Sequence, residues 1–225
     1  MNKIALITWL NGRKELSAKV LRYFSQFDLS HFIAIGTDCQ DVCKGTKFKY
    51  TECENDPLGN KWNEAFRQLK GIDFDYVLIV GSDDFLSANT IDFYLNEANR
   101  DVYEFSDIFI CDELNKEAIY LNEIDNCGAG MLIKRKFIEL MNFEPVPNHI
   151  KKGLDRNIKE HLKKYGAKVS YVSYALNRFA LIDIKNGYSM NSFESLNNRN
   201  CVELDYNYVI GLISTSSTSS IPANF

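Results

Sequence analysis

The stretch Asp75-Tyr76-Val77-Leu78-Ile79-Val80-Gly81-Ser82-Asp83-Asp84-Phe85 constrains the fold more than any other in the chain. The unbroken apolar run from Tyr76 to Val80 predicts a strand buried on both faces. Strands of that kind sit inside parallel sheets that carry helices on both sides. This one stops at two adjacent carboxylates. A core strand therefore delivers acidic side chains to the edge of its sheet.

The residues before it alternate in period. Ile4–Leu10 is a continuous apolar strand candidate, and Leu16, Val20, Phe24 and Phe27 fall on one helical face. His31–Gly36 reads as a second buried strand, and Phe48 and Tyr50 alternate with lysines as in a half-exposed third. Trp62, Ala65, Phe66 and Leu69 recur at helical spacing, and after the Tyr76–Val80 strand Ile91, Tyr94, Leu95 and Ala98 mark a further helix. This β-α-β-β-α-β-α order predicts an α/β fold, Rossmann-like, with a mostly parallel sheet and helices on both faces. Past residue 105, Asp107–Cys111 and Ala118–Leu121 predict a small antiparallel hairpin. A glycine-rich segment at Asn126–Gly130 precedes a short helix over Arg135–Met141. Leu154, Ile158, Leu162 and Tyr165 form the stripe of another helix, closed by Gly166, and Lys168–Ser173 is a strand. Residues 1–210 are expected to form one domain, and 211–225, with the serine- and threonine-rich "STSSTSS", a low-complexity tail.

Charge and cysteine usage exclude some function classes. At 225 residues with a net charge of −4, the chain lacks the overall basic character of a general nucleic-acid binder. Six cysteines without a Cys-x-x-Cys pair predict reduced thiols and a cytoplasmic protein. No apolar run approaches the length of a transmembrane segment, and the start has no cleavage-site pattern of a signal peptide.

In open α/β sheets ligands bind outside the carboxyl ends of the strands. Here those ends are polar. The first strand carries Thr8 and runs into Asn11 and Arg13; the second meets Thr37 and Asp38; the third is followed by Asn55 and Asp56; the fourth ends in Ser82, Asp83 and Asp84. Clustered carboxylates are costly unless a cation neutralises them, and oxygen ligands without histidine or thiol select Mg²⁺ or Mn²⁺. The structural alternative is that Ser82 or Asp84 caps the next helix.

The order of these motifs resembles the GT-A fold glycosyltransferases of the family 2 type, over residues 3 to about 185. "LITWLNGRKEL" resembles the first strand and nucleotide loop, "AIGTD" the second strand with its base-contacting Asp, and "NDPLGNKWNEAF" the turn and helix below the diphosphate. "VLIVGSDDF" resembles the strand with the Asp-x-Asp metal motif, although Gly81 stands where the first Asp belongs, so that Asp83, helped by Asp84, inherits the metal role. "GAGMLIKRKFIE" is similar to the acceptor-side glycine loop followed by a strand and helix, and "GLDRNIKEHLKKYG" to the helix whose leading Asp lies near the acceptor hydroxyl.

The resemblance implies a metal-dependent glycosyltransferase with a UDP-linked sugar donor and Mn²⁺ or Mg²⁺ as cofactor. Thr8, Asn11, Arg13, Asp38, Lys61 and Ser82 would bind the nucleotide, and Asp83 and Asp84 the metal. Gly128, Ala129 and Gly130 would line the sugar and acceptor side, and Asp155 would be the general base. Each has a plainer alternative: Thr8 as a strand residue, Lys61 as a surface lysine, the glycines as a turn, Asp155 as a helix cap. The acceptor stays open among a glycan, a lipid carrier, a protein and a modified DNA base, the last depending on whether Lys134-Arg135-Lys136, Lys151-Lys152 and Lys163-Lys164 form a basic patch. A sugar nucleotidyltransferase uses a similar sheet and is the alternative enzyme; a non-catalytic domain that keeps the GT-A-like sheet is the third reading.

Overall fold

The computed structural model describes residues 1–124, 127–186, 193 and 201–214. Its central sheet has seven strands: β1 (Ile4–Leu10), β2 (His31–Gly36), β3 (Lys49–Glu52), β4 (Tyr76–Gly81), β6 (Val102–Phe105), β9 (Leu132–Lys134) and β10 (Val169–Val172). They lie in the order β10-β6-β9-β4-β1-β2-β3. All neighbours are parallel except β9, which runs antiparallel to both β4 and β6. The mostly parallel sheet expected from the sequence is therefore present, and the continuous apolar runs explain it. Every residue of β1 is buried, as is β4 from Tyr76 to Val80.

The alternation of side chains across β1 sorts the helices. Ile4, Leu6 and Leu10 pack into a core with Leu16, Val20, Leu21 and Phe24 of α1 (Lys14–Phe24) and with Ile91, Tyr94 and Leu95 of α3 (Ala88–Asn96). Ala5, Ile7 and Trp9 face the opposite core, which takes in Ala65 and Phe66 of α2 (Leu58–Arg67), Phe137 and Ile138 of α4 (Arg135–Leu140), and Leu154, Ile158 and Leu162 of α5 (Leu154–Lys164). Gly166 follows α5 in the left-handed region, φ 72°, as its expected cap.

The antiparallel part is larger than a hairpin. β7 (Asp107–Asp112) and β8 (Glu117–Asn122) pair as expected. They belong, however, to a second sheet of five strands in the order β12-β8-β7-β11-β5, with β5 (Asp84–Leu86), β11 (Leu181–Lys185) and β12 (Cys201–Asp205). β5 pairs antiparallel with β11, setting Asp84 opposite Asp183. Two further helices, α6 (Tyr174–Asn177) and α7 (Tyr206–Ser214), follow, and a short 3-10 helix spans Gln40–Cys43. The tail expected from residue 211 starts inside α7, and its remainder lies outside the described residues.

Candidate active site

The chain turns between β4 and β5 at Ser82 and Asp83, and the local chemistry makes that turn possible. Asp84 Oδ2 accepts the backbone N–H of Gly81 at 2.8 Å and closes the turn. A Cβ on residue 81 would lie 2.3 Å from that same oxygen. Glycine at 81 is thus the residue that lets the Asp84 carboxylate fold back under the strand end. The chain has no first Asp of an Asp-x-Asp motif here because its side chain would occupy the space that Asp84 uses. The expectation that Asp84 or Ser82 caps the next helix is corrected: Asp84 opens β5, and the residue preceding α3 is Ser87.

The third carboxylate comes from a strand a hundred residues away. Asp83, Asp84 and Asp183 each offer an oxygen, all within 4.8 Å of one another. Ile184 N–H donates to the Asp83 carbonyl at 3.0 Å, tying β11 to the turn. Two cations enter the same cluster. Arg13 donates from Nη1 to Asp83 Oδ2 and from Nη2 to Ser82 Oγ, the latter at 3.0 Å. Lys185 Nζ lies 2.5 Å from Asp183 Oδ2 and 4.0 Å from Asp83 Oδ2.

This crowding sets the electrostatics. Burial first, and then the neighbouring Asp83, push the Asp183 carboxyl up to about 6. The same two causes hold Asp84 well above the ordinary carboxylate range. For Lys185 burial works against the charged form, but Asp183 and Asp83 outweigh it and raise the ammonium.

Asp155 occupies the first turn of α5, but not as its cap. The cap position is Gly153, with φ 70°, and no side chain bonds the first turn. The Asp155 carboxyl turns instead toward the glycine loop, where a Cβ on residue 128 would stand 2.1 Å from its Oδ1. Burial pushes it up to about 6, against the pull of Lys159 and the Gly128 amide. Lys159, one turn along α5, is paired with buried Glu104 at 2.7 Å. Burial first, and then the charges of Asp84 and Asp155, raise the Cys127 thiol, which stands next to Gly128. Gly130 takes φ 73°, and a Cβ there would meet the Phe105 ring at 2.8 Å. Gly130 is therefore a packing glycine, while Gly128 makes room for Asp155; Ala129 lies half-buried between them.

Other expected site residues lie elsewhere. Thr8 is fully buried in β1 and offers no surface to a ligand. Lys61 is neither a surface lysine nor free for phosphates: it is fully buried, and its ammonium donates to the Leu10 carbonyl at 2.7 Å and Asn55 Oδ1 at 3.0 Å. Burial lowers its pKa. Asn11 and Asp38 are exposed on the loops after β1 and β2, Asp38 in the left-handed region with φ 53°. Within the basic runs, Arg135 pairs with Glu139, Lys136 with Asp101 and Lys151 with Asp56. All six cysteines are free thiols, and among the described residues no helix is long and apolar enough to cross a membrane.

Asp183 and Lys185 were absent from the sequence expectation. The signal lay in "LIDIK", where strict alternation puts both charges on one side of a short strand and Ile182 and Ile184 on the other.

No protein-family model matches the chain, and no curated protein matches it by sequence. Solved structures match in fold. The inositol-1-phosphate CTP transferase of T. maritima aligns with a TM-score of 0.58 and 10% identity over 97% of this chain and 99% of its own. TarS 1-349 of S. aureus aligns at 0.56 and 13% identity over 94% of this chain and 69% of its own. A protein assigned as a glucose-1-phosphate thymidylyltransferase of Bacillus anthracis aligns at 0.52 and 10% identity over 96% and 98%. The GT-A-like, Rossmann-like α/β fold is thereby shared with these solved transferases, and the family 2 type is not singled out among them.

Proposed function

We propose that the chain is a sugar nucleotidyltransferase, joining a nucleoside triphosphate to a sugar or polyol phosphate with release of pyrophosphate. The observation that carries this reading is the Asp83–Asp84–Asp183 cluster flanked by two cations, Arg13 and Lys185. A triphosphate brings more negative charge than a diphosphate sugar, and a site that combines buried cations with carboxylates for a divalent ion is suited to it. Two of the three aligned structures named above are nucleotidyltransferases by title, and they match this chain along nearly their whole length. This places the alternative weighed from the sequence above the UDP-sugar glycosyltransferase that the motifs suggested.

The donor set fits a hard divalent cation. All candidate ligands are carboxylate oxygens, and Asp183 Oδ1 is buried with no hydrogen-bond partner among the described residues. Asp83 and Asp183 would hold Mg²⁺ or Mn²⁺, with Asp84 behind them. When bound, the ion would neutralise charge on the polyphosphate and on the departing pyrophosphate. Arg13, oriented by Ser82, would bind phosphate oxygens at the end of β1. In the reaction an oxygen of the sugar phosphate attacks the α-phosphorus, and the bond from that phosphorus to the bridging oxygen of the pyrophosphate breaks. The attacking oxygen is already an anion, so this chemistry needs no general base. The free thiols support a reducing, cytoplasmic setting.

One observation favours a second reading, glycosyl transfer from a nucleotide sugar to a glycan, lipid carrier, protein or modified DNA base. Asp155 is a half-buried carboxyl raised to about 6 beside the glycine loop, which suits a base that takes a hydroxyl proton near neutral pH. The two readings separate by product. Each nucleoside triphosphate is incubated with sugar 1-phosphates and Mg²⁺, and each nucleotide sugar with simple acceptors. Pyrophosphate release that requires the sugar phosphate is the expected result. Release of nucleoside diphosphate from a nucleotide sugar, without pyrophosphate formation, would establish the second reading instead.

A further inference from the structure

Lys185 closes β11 with its side chain only 9% exposed, and its ammonium stands between two of the carboxylates, 2.5 Å from Asp183 Oδ2 and 4.0 Å from Asp83 Oδ2. A cation held by Asp83 and Asp183 would use that same space. Arg13 differs from Lys185 in this respect. Its planar fork is fixed at two points, on Asp83 and on Ser82 Oγ, so it approaches the cluster from the β1 side. Lys185 carries a compact charge on a flexible four-carbon stem, and among the described residues its close partner is Asp183. Across the same carboxylate, Asp183 Oδ1 is buried and unpartnered among the described residues, an open ligand position next to an occupied one.

We propose that the Lys185 ammonium is the resident counter-cation of this site, displaced when a divalent ion binds and turned then toward the phosphates of the nucleotide. The proposal rests on the reading of Asp83, Asp84 and Asp183 as a cation site. Its basis is charge. Without an ion, Asp83 and Asp183 face Arg13 and Lys185, with Asp84 beside them, and removing Lys185 would leave buried negative charge less compensated. With a divalent ion between Asp83 and Asp183, the ammonium meets a like charge at close range in a poorly screened environment and is driven out. A polyphosphate supplies the next acceptor for it. Two consequences follow. The empty protein binds the ion weakly, because binding must expel Lys185. Nucleotide and ion bind cooperatively, because each provides what the other's binding displaces or requires. Lys185 is thus a positioning residue that links metal loading to the presence of nucleotide.

The test is Mn²⁺ binding, followed by electron paramagnetic resonance on the intact chain with and without a nucleoside triphosphate. Lys185→Met removes the competing charge and keeps the stem. The variant is expected to bind Mn²⁺ about tenfold more tightly than wild type in the absence of nucleotide, a change of one decade in dissociation constant. The gain that nucleotide confers on Mn²⁺ affinity should shrink correspondingly. Equal or weaker Mn²⁺ binding by Lys185→Met would overturn the proposal while leaving the cation site standing. Wild type that binds no Mn²⁺ under either condition would remove the cation site itself, and the proposal with it. Should Lys185→Met fail to fold, wild type answers the same question through lysine acylation read by mass spectrometry. Acylation of Lys185 should rise several-fold with saturating Mn²⁺, and unchanged or slower acylation would overturn the displacement.

Discussion

At the scale of single residues, the structure separates carboxylates that look interchangeable in the sequence. Asp83 and Asp84 are neighbours in "GSDD", yet Asp83 faces Arg13 and Lys185 while Asp84 bonds backward to the Gly81 amide. Asp83→Asn should leave the fold in place and lower the transfer rate on the order of 10³-fold, the scale of several kcal/mol of lost charge stabilisation. Steady-state rates and a urea melt on the same sample check both halves of that statement. Asp155 invites a test by pH. An acid whose folded pKa lies above its unfolded one favours the fold while protonated, and that advantage is lost as pH rises through the folded value. For Asp155 the window runs from the ordinary carboxylate range up to about 6, and above it the buried charge is a cost. Asp155→Asn should therefore stabilise the protein by about 3 kcal/mol at pH 8 and have little effect near pH 4. Urea melts at the two pH values measure this; an equal effect at both would show that the carboxyl is not strained by burial. Turnover of the same variant divides the two chemistries. Nucleotidyl transfer should barely change, whereas glycosyl transfer would fall by about 10²–10⁴-fold with the loss of its base.

At the scale of elements, the β4–β5 turn is the feature on which the site depends. Gly81→Ala would drive a methyl group into the Asp84 carboxylate, 2.3 Å away, and break its bond to the residue 81 amide. The expected cost is about 1–3 kcal/mol, the range for overpacking a tight contact. Because the clash involves one side chain, Asp84→Ala should relieve it, so the double variant should be more stable than the sum of the single changes predicts. A double-mutant cycle by chemical denaturation reads the coupling, and strict additivity would mean that the glycine is required for something else. Elements also explain what the sequence revealed and what it withheld. β1, β2 and β4 were legible because strands buried on both faces must be apolar throughout. β5 and β11 were not: three and five residues long, they carry too little pattern to stand out. Their pairing partners lie far along the chain, as with Asp84 and Asp183. Lys61 and Thr8 were misread for a related reason. Their sequence neighbours say helix and strand, while their burial is decided by the layers packed on either side of the sheet.

At the scale of the whole molecule, the seven-stranded sheet brings the polar loops to one edge, and the second sheet returns across that edge to add Asp183 and Lys185. The position of the crevice was legible from the strand-end rule and the doublet Asp83-Asp84. Its complete ligand set was not, because the third carboxylate reaches the cluster only through the antiparallel pairing of β11 with β5. The central claim is that this three-carboxylate cluster is where a divalent ion and nucleotide phosphates bind. The most direct test is the melting temperature of wild type and Asp183→Asn with a nucleoside triphosphate and Mn²⁺, since a ligand at a hundredfold excess over its dissociation constant adds about 2.7 kcal/mol to a native state. Wild type should gain several degrees with nucleotide and Mn²⁺ together and lose most of that gain with chelator, while folded Asp183→Asn should gain little. An equal rise in Asp183→Asn at the same nucleotide and Mn²⁺ concentrations would place the binding site away from the cluster and contradict the account.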